Sequence, residues 1–196
     1  MYAITYKENG VDKTVQKTTN SSGILYFTNV PLGEIKIQEI SAPVGYKLDS
    51  TVHTYNVTSD KVTSAVYEME PEDFTEDVFK GHIQITKQIE MLGADAQLEQ
   101  GAEYQVYLKS AGSYNAAKDT ERDYLVTGAD GKATTKDLPY GTYTLHQVKG
   151  VPGREFKDMD VDVHENGKTY EVTIINELKY CLLYTSPSPR DRSLSR

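Results

Sequence analysis

Asn20-Ser21-Ser22-Gly23 runs directly into Ile24-Leu25-Tyr26-Phe27, then into Asn29-Val30-Pro31-Leu32-Gly33 and the alternating stretch Glu34-Ile35-Lys36-Ile37-Gln38-Glu39. The same order returns later as Ala129-Asp130-Gly131, then Asp137-Leu138-Pro139-Tyr140-Gly141, then Thr142-Tyr143-Thr144-Leu145-His146-Gln147. Gly23 to Gly131 and Pro31 to Pro139 are separated by the same offset, so one unit occurs twice without a gap. Ser-Gly and Asp-Gly supply the positive φ of a tight hairpin, Pro fixes φ at the next turn, and Gly two residues later lets the chain reverse. Each copy therefore reads as strand, hairpin, strand, turn, strand. The expected class is all-β, with two tandem antiparallel β-sandwiches.

Working outward, the 196 residues give each copy about a hundred, a size at which a sandwich can bury a core. Tyr is abundant at fifteen, Trp is absent, and Val, Ile and Thr recur in short runs broken by Gly, Pro, Asn and Asp, which is the punctuation of strands. The net charge is −8 and the cations form no stripe, so nothing points to nucleic acid or to an anionic membrane surface as a partner. No apolar run is long enough to span a bilayer as a helix.

The domain division expected is 1–70 for a first sandwich lacking its first strand, 71–80 for an acidic linker around Glu70-Pro71-Glu72-Asp73, and 81–179 for a complete second sandwich. Within the second, the polar stretch from Ser110 to Asp123 reads as a surface excursion with one helical turn, and Asn166-Gly167 as the last hairpin. Cys181-Leu182-Leu183-Tyr184-Thr185-Ser186-Pro187-Ser188-Pro189-Arg190-Asp191 matches one reading frame of a transposon-type sequencing-library adapter, so 180–196 are expected to be non-native read-through. The one Cys goes with that tail, which leaves neither disulfide nor thiolate metal chemistry in the rest.

From Gly23 through the Pro31-x-Gly33 turn to Glu39-Ile40-Ser41-Ala42-Pro43-Val44-Gly45-Tyr46, the sequence resembles Cna protein B-type domains, also called SpaA-like or prealbumin-like. The second copy matches in Ile85-Thr86-Lys87, Gly131, Leu138-Pro139-Tyr140-Gly141-Thr142-Tyr143 and Ile174-Ile175-Asn176, but has His146-Gln147 where the family places Glu, and no Ala-Pro. The resemblance implies that each copy is a seven-stranded, Ig-like/prealbumin-like sandwich serving as a stalk or pilin module on Gram-positive cell walls. It further implies an extracellular, wall-anchored protein whose signal peptide and sorting signal lie outside this stretch.

Strand alternation exposes an anomaly of its own. Ile83, Ile85, Lys87 and Ile89 share one face; so do Tyr143, Leu145 and Gln147; so do Val172, Ile174 and Asn176. Polar groups thus enter the second core from three strands. In the first copy Ile35, Ile37 and Glu39 share a face, making Glu39 an inward carboxyl without a visible partner. The resemblance implies an intramolecular Lys–Asn isopeptide bond from such an arrangement, with a buried lysine as nucleophile and a buried acid as proton carrier. Lys87 and Asn176 fit those roles, while Gln147 occupies the acid's position and an amide cannot take its part. The other reading is that Lys87 snorkels at the sandwich rim and Asn176 caps the last strand. In the first copy the closing stretch 62–69 offers Glu68 instead of Asn, so no bond is expected there.

Asp158, Asp160 and Asp162 alternate as in a calcium loop, but Val163 stands where that loop needs Gly, and Met159, Val161 and Val163 make the stretch an amphipathic strand. His53, His82, His146 and His164 show no ligand spacing, and no phosphate loop or nucleophile elbow is present, so neither metal nor cofactor is expected. Three functions stay open: a non-catalytic stalk whose partners are neighbouring modules of the same chain, an adhesin gripping a host matrix protein or glycan, and an accessory domain of a larger secreted enzyme.

Overall fold

The computed structural model describes residues 1–62, 66–68 and 74–179. They fall into two compact units. The first comprises Met1–His82 with Asp137–Thr142 and Asp162–Thr169; the second comprises Ile83–Lys136 and Tyr143–Val161 and continues from Tyr170.

The first unit is built on β1 (Tyr2–Glu8), β2 (Val11–Lys17), β3 (Gly33–Glu39) and β4 (Val52–Val57), in the spatial order β2-β1-β3-β4. All three pairings are antiparallel, and the β1–β3 register sets Ile4 opposite Ile37, Tyr6 opposite Ile35 and Tyr2 opposite Glu39. Period-two alternation then sends Ile4, Tyr6, Ile35 and Ile37 to one face, where with Val57 they form the core. Each such side chain contributes about 1.5–3 kcal/mol by leaving water. Phe27, Val30, Tyr55, Val62, Tyr67 and Phe74 pack against that cluster. Phe74, from the stretch expected to be linker, meets Tyr2 edge-on with ring centroids 5.6 Å apart and His53 at 5.1 Å.

The remaining strands are β5 (Lys80–Met91), β6 (Ala94–Leu98), β7 (Glu103–Leu108), β8 (Arg122–Val126), β9 (Lys132–Thr134), β10 (Leu138–Pro139), β11 (Gly141–Lys149), β12 (Met159–Val163) and β13 (Thr169–Asn176). One sheet runs β12-β11-β7-β8. The other is organised by the long β5, which lies between β10 and β13 and also pairs with β9 and β6. The polar excursion carries two short 3-10 turns, Lys109–Ala111 and Asp119–Glu121, where the sequence suggested one helical turn. Among the described residues, no helix is long and apolar enough to cross a membrane, and no group of three or more His, Cys, Asp or Glu side chains is placed to hold a metal ion.

The acidic strand β12 is an amphipathic strand. Val161 and Val163 are buried, while each Asp is engaged from the side: His146 Nδ1 lies 2.8 Å from Asp158 Oδ1, Thr144 donates to Asp160 at 2.8 Å, and Thr142 donates to Asp162 at 2.6 Å. Lys109 adds an ion pair to Asp160 at 2.5 Å and holds its carboxyl below the usual carboxylate range, with the Thr144 hydrogen bond helping.

Candidate functional site

Alternation along β5 turns Ile83, Ile85 and Lys87 inward, and all three side chains are fully buried. Lys87 therefore does not snorkel. Its ammonium lies 3.1 Å from Glu99 Oε2, contacts the carbonyl of Gln88, and reaches β13 at the carbonyl of Ile174, 3.5 Å away. Burial pushes the Lys87 ammonium below its ordinary range, and the opposing pull of Glu99 does not restore it.

Glu99 is the residue that strand reading missed. It lies one position beyond β6, and its backbone N–H donates to the Lys87 carbonyl at 3.0 Å, so the pairing that holds the two backbones side by side delivers the acid to the amine. Its Oε1 accepts the Val151 N–H at 2.6 Å. Oε2 makes no well-aligned hydrogen bond and faces Lys87 at ion-pair distance. Every β6 residue is at least partly exposed, so its alternation marks no inward face from which an inward Glu99 could be extrapolated. The one available signal was a charge argument: a lysine turned into a core calls for an anion nearby.

Gln147 is buried at the end of β11, opposite Tyr104 of β7, just before a register shift in the pairing of these strands. Its Oε1 accepts from Asn176 Nδ2 at 2.8 Å and from the Tyr104 hydroxyl at 3.2 Å, and its Nε2 donates to the Lys149 carbonyl at 3.1 Å. Burial, with the Glu99 carboxylate nearby, drives the Tyr104 phenol far above its ordinary range, so it remains a donor. Asn176 ends β13 and is 1% exposed. Lys87, Asn176 and Gln147 thus lie where alternation placed them, joined by a carboxyl from a fourth segment and a phenol from a fifth.

In the first unit Glu39 is buried. Its Oε2 accepts the Asp49 N–H at 3.0 Å, and its Oε1 has no hydrogen-bond partner among the described residues. The carboxyl lines a small cleft with Tyr2, Asp49, His53, Phe74 and Glu76. The Tyr2 hydroxyl donates to Glu76 at 3.4 Å and is pushed up to about 12 by burial and by the Glu39 and Glu76 carboxylates. Burial and the neighbouring Glu39 carboxyl raise Glu76 in turn. The closing stretch 62–69 lies partly outside the described residues, Glu68 being exposed.

These two sites sit in a chain that comparison with known proteins places clearly. The TIE protein of Bacillus anthracis is 26% identical with a TM-score of 0.63, over 90% of this chain and 31% of that one, so the chain spans about a third of its length. GBS52, the minor pilin of Streptococcus agalactiae, is 15% identical with a TM-score of 0.45, over 94% of this chain and 85% of that one. A C-terminal fragment of the pilus adhesin SpaC from Lactobacillus rhamnosus GG is 17% identical with a TM-score of 0.47, over 93% and 90%. No curated protein matches in sequence. The model of the SpaA prealbumin-like fold domain matches twice, over residues 2–71 and 82–178, and the chain belongs to that family.

Proposed function

We propose that the chain is a load-bearing segment of a bacterial surface protein, of stalk or pilin type, whose second unit is locked by an isopeptide bond between Lys87 and Asn176. The observation that carries this reading is the sealing of the cluster. Lys87, Glu99, Gln147 and Asn176 are each at most 3% exposed, so the partners of any reaction there belong to the chain itself. A sealed amine, carboxyl and carboxamide serve one bond within the fold and no external substrate. Membership of the SpaA family supports an extracellular setting, in which neighbouring modules of the same protein are the partners.

The chemistry follows from the placement of Glu99. Lys87 hands a proton to the carboxylate 3.1 Å away and becomes a neutral amine. The amine nitrogen attacks Cγ of Asn176 while the proton on Glu99 passes to the amide oxygen, giving a tetrahedral centre. The Cγ–Nδ2 bond then breaks, a proton returns through Glu99 to Nδ2, and ammonia leaves. The proton on the oxygen returns to Glu99 as the carbonyl re-forms, so one N–C bond forms, one breaks, and Glu99 ends as a neutral acid holding the proton that Lys87 gave up. Packing on rigid strands supplies the proximity. Intact mass of the full chain tests this: a deficit of one ammonia is expected, absent in Lys87→Ala and in Glu99→Gln. A mass equal to the unmodified sequence overturns the bond.

A further inference from the structure

The proposed bond needs the Asn176 carboxamide in one of its two flips, with the nitrogen presented as leaving group and the oxygen free for a proton. The hydrogen bonds around Gln147 select that flip. The Lys149 carbonyl can only accept, so Gln147 must turn Nε2 toward it, at 3.1 Å. Oε1 then faces the other way, where Tyr104 donates its hydroxyl at 3.2 Å. An acceptor aimed at Asn176 demands a donor, which fixes Nδ2 toward Gln147 at 2.8 Å and turns Oδ1 away from it. The fixed acceptor at the start of this relay is the Lys149 carbonyl, so the selection reaches Asn176 from the last residue of β11, where the chain turns.

The same turn also sets the acid. Val151 N–H holds Glu99 Oε1 at 2.6 Å, two residues after the carbonyl that holds Gln147. Between them lies Gly150, where a Cβ would collide with Gln147 Nε2 and come within 2.9 Å of Glu99 Oε1. Three consecutive residues thus clasp the leaving-group side and the acid side of the cluster together, and only a residue without a side chain fits at the centre.

We propose that Gln147, clasped by Lys149-Gly150-Val151, is a positioning residue that presents the Asn176 nitrogen as leaving group. In this copy, where Glu99 is the acid, the amide at 147 has a role that a carboxylate would fill poorly, since a carboxylate would set an acceptor against the Lys149 carbonyl. The inference rests on the isopeptide reading for its consequence but not for its geometry, and two measurements separate them.

The geometry is read in the full chain carrying Glu99→Gln, in which the reaction is blocked. The Asn176 side-chain NH2, observed by nitrogen-15 NMR, is expected to exchange with solvent at least about tenfold faster once Gln147→Met is added. Unchanged exchange overturns the proposal. The consequence is read with Glu99 intact, by sampling cell-free synthesised full chain over time by intact mass. Gln147→Met and, independently, Gly150→Ala are expected to slow ammonia loss at least about tenfold while circular dichroism stays that of the parent. Loss at the parent's rate in both overturns it. A parent that loses no ammonia overturns the bond alone, and the exchange measurement still decides the role of Gln147.

Discussion

An ammonium carried into a core without its counterion costs several kcal/mol, and Lys87 has no solvent contact. Glu99 offsets that cost in the unreacted fold, and reaction removes it by turning the charged pair into an amide and a neutral acid. Glu99→Gln leaves the lysine buried beside an amide, with its ammonium already disfavoured by burial and the raising influence of Glu99 gone. The folded state of that variant then binds fewer protons than the unfolded chain, whose lysine titrates near 10.4. Its stability is expected to be greatest above about pH 10.4 and to fall as pH drops toward the depressed folded value, by about 1.4 kcal/mol per pH unit. Urea midpoints between pH 7 and 10 check the slope, and a flat profile would show a solvated lysine. At this scale much of the site was legible. A period of two was enough to turn Lys87, Gln147, Asn176 and Glu39 inward, because each extends a run of apolar neighbours on its own strand. Glu99 was hidden, since it follows a strand with no buried face and owes its position to pairing with a distant strand.

Elements are registered here by close backbone approach. Gly131 accepts the Lys87 N–H at 2.7 Å, and a Cβ on it would lie 2.8 Å from the Lys87 carbonyl and 3.0 Å from Leu98, in a backbone already at φ +67. The turn glycine that marks the repeat in sequence therefore also fixes β5 where its lysine enters the core. Gly131→Ala is expected to cost more than about 1 kcal/mol and to slow ammonia loss; thermal denaturation and a mass time course measure the two effects, and a neutral alanine would mean the turn is not held this tightly. For β12, the side-chain partners of Asp158, Asp160 and Asp162 predict that adding calcium or EDTA leaves the melting temperature unchanged, whereas a shift would expose a cation site. Turn positions and most strands were legible because Gly, Pro and alternation are local, but 24–27, which the repeat marks as a strand, lies in no strand, and the turns at Gly131 and Asn166-Gly167 join strands of different sheets instead of closing hairpins. The 71–80 stretch was not read beyond its charge and its proline, and the packing of Phe74 on the first core depends on contacts that no local pattern encodes.

At the scale of the whole chain, the consequence of a Lys87–Asn176 bond is topological. It joins β5, where the second unit begins, to the end of β13, and so closes a loop of about ninety residues whose tethering removes about 4–5 kcal/mol of unfolded-state entropy. Tension entering near β5 and leaving near β13 passes through the amide, and the strands between them carry none of it. Pulling the full chain by its ends therefore distinguishes a locked unit from an unlocked one without reference to thermodynamics. At up to about 3.3–3.6 Å per extended residue, the Glu99→Gln variant is expected to release roughly 300 Å more contour length than the parent. The contribution of β1–β4 should be the same in both, since among the described residues no lysine lines the cleft around Glu39. Equal total extensions for parent and variant would show that the second unit is held by packing alone.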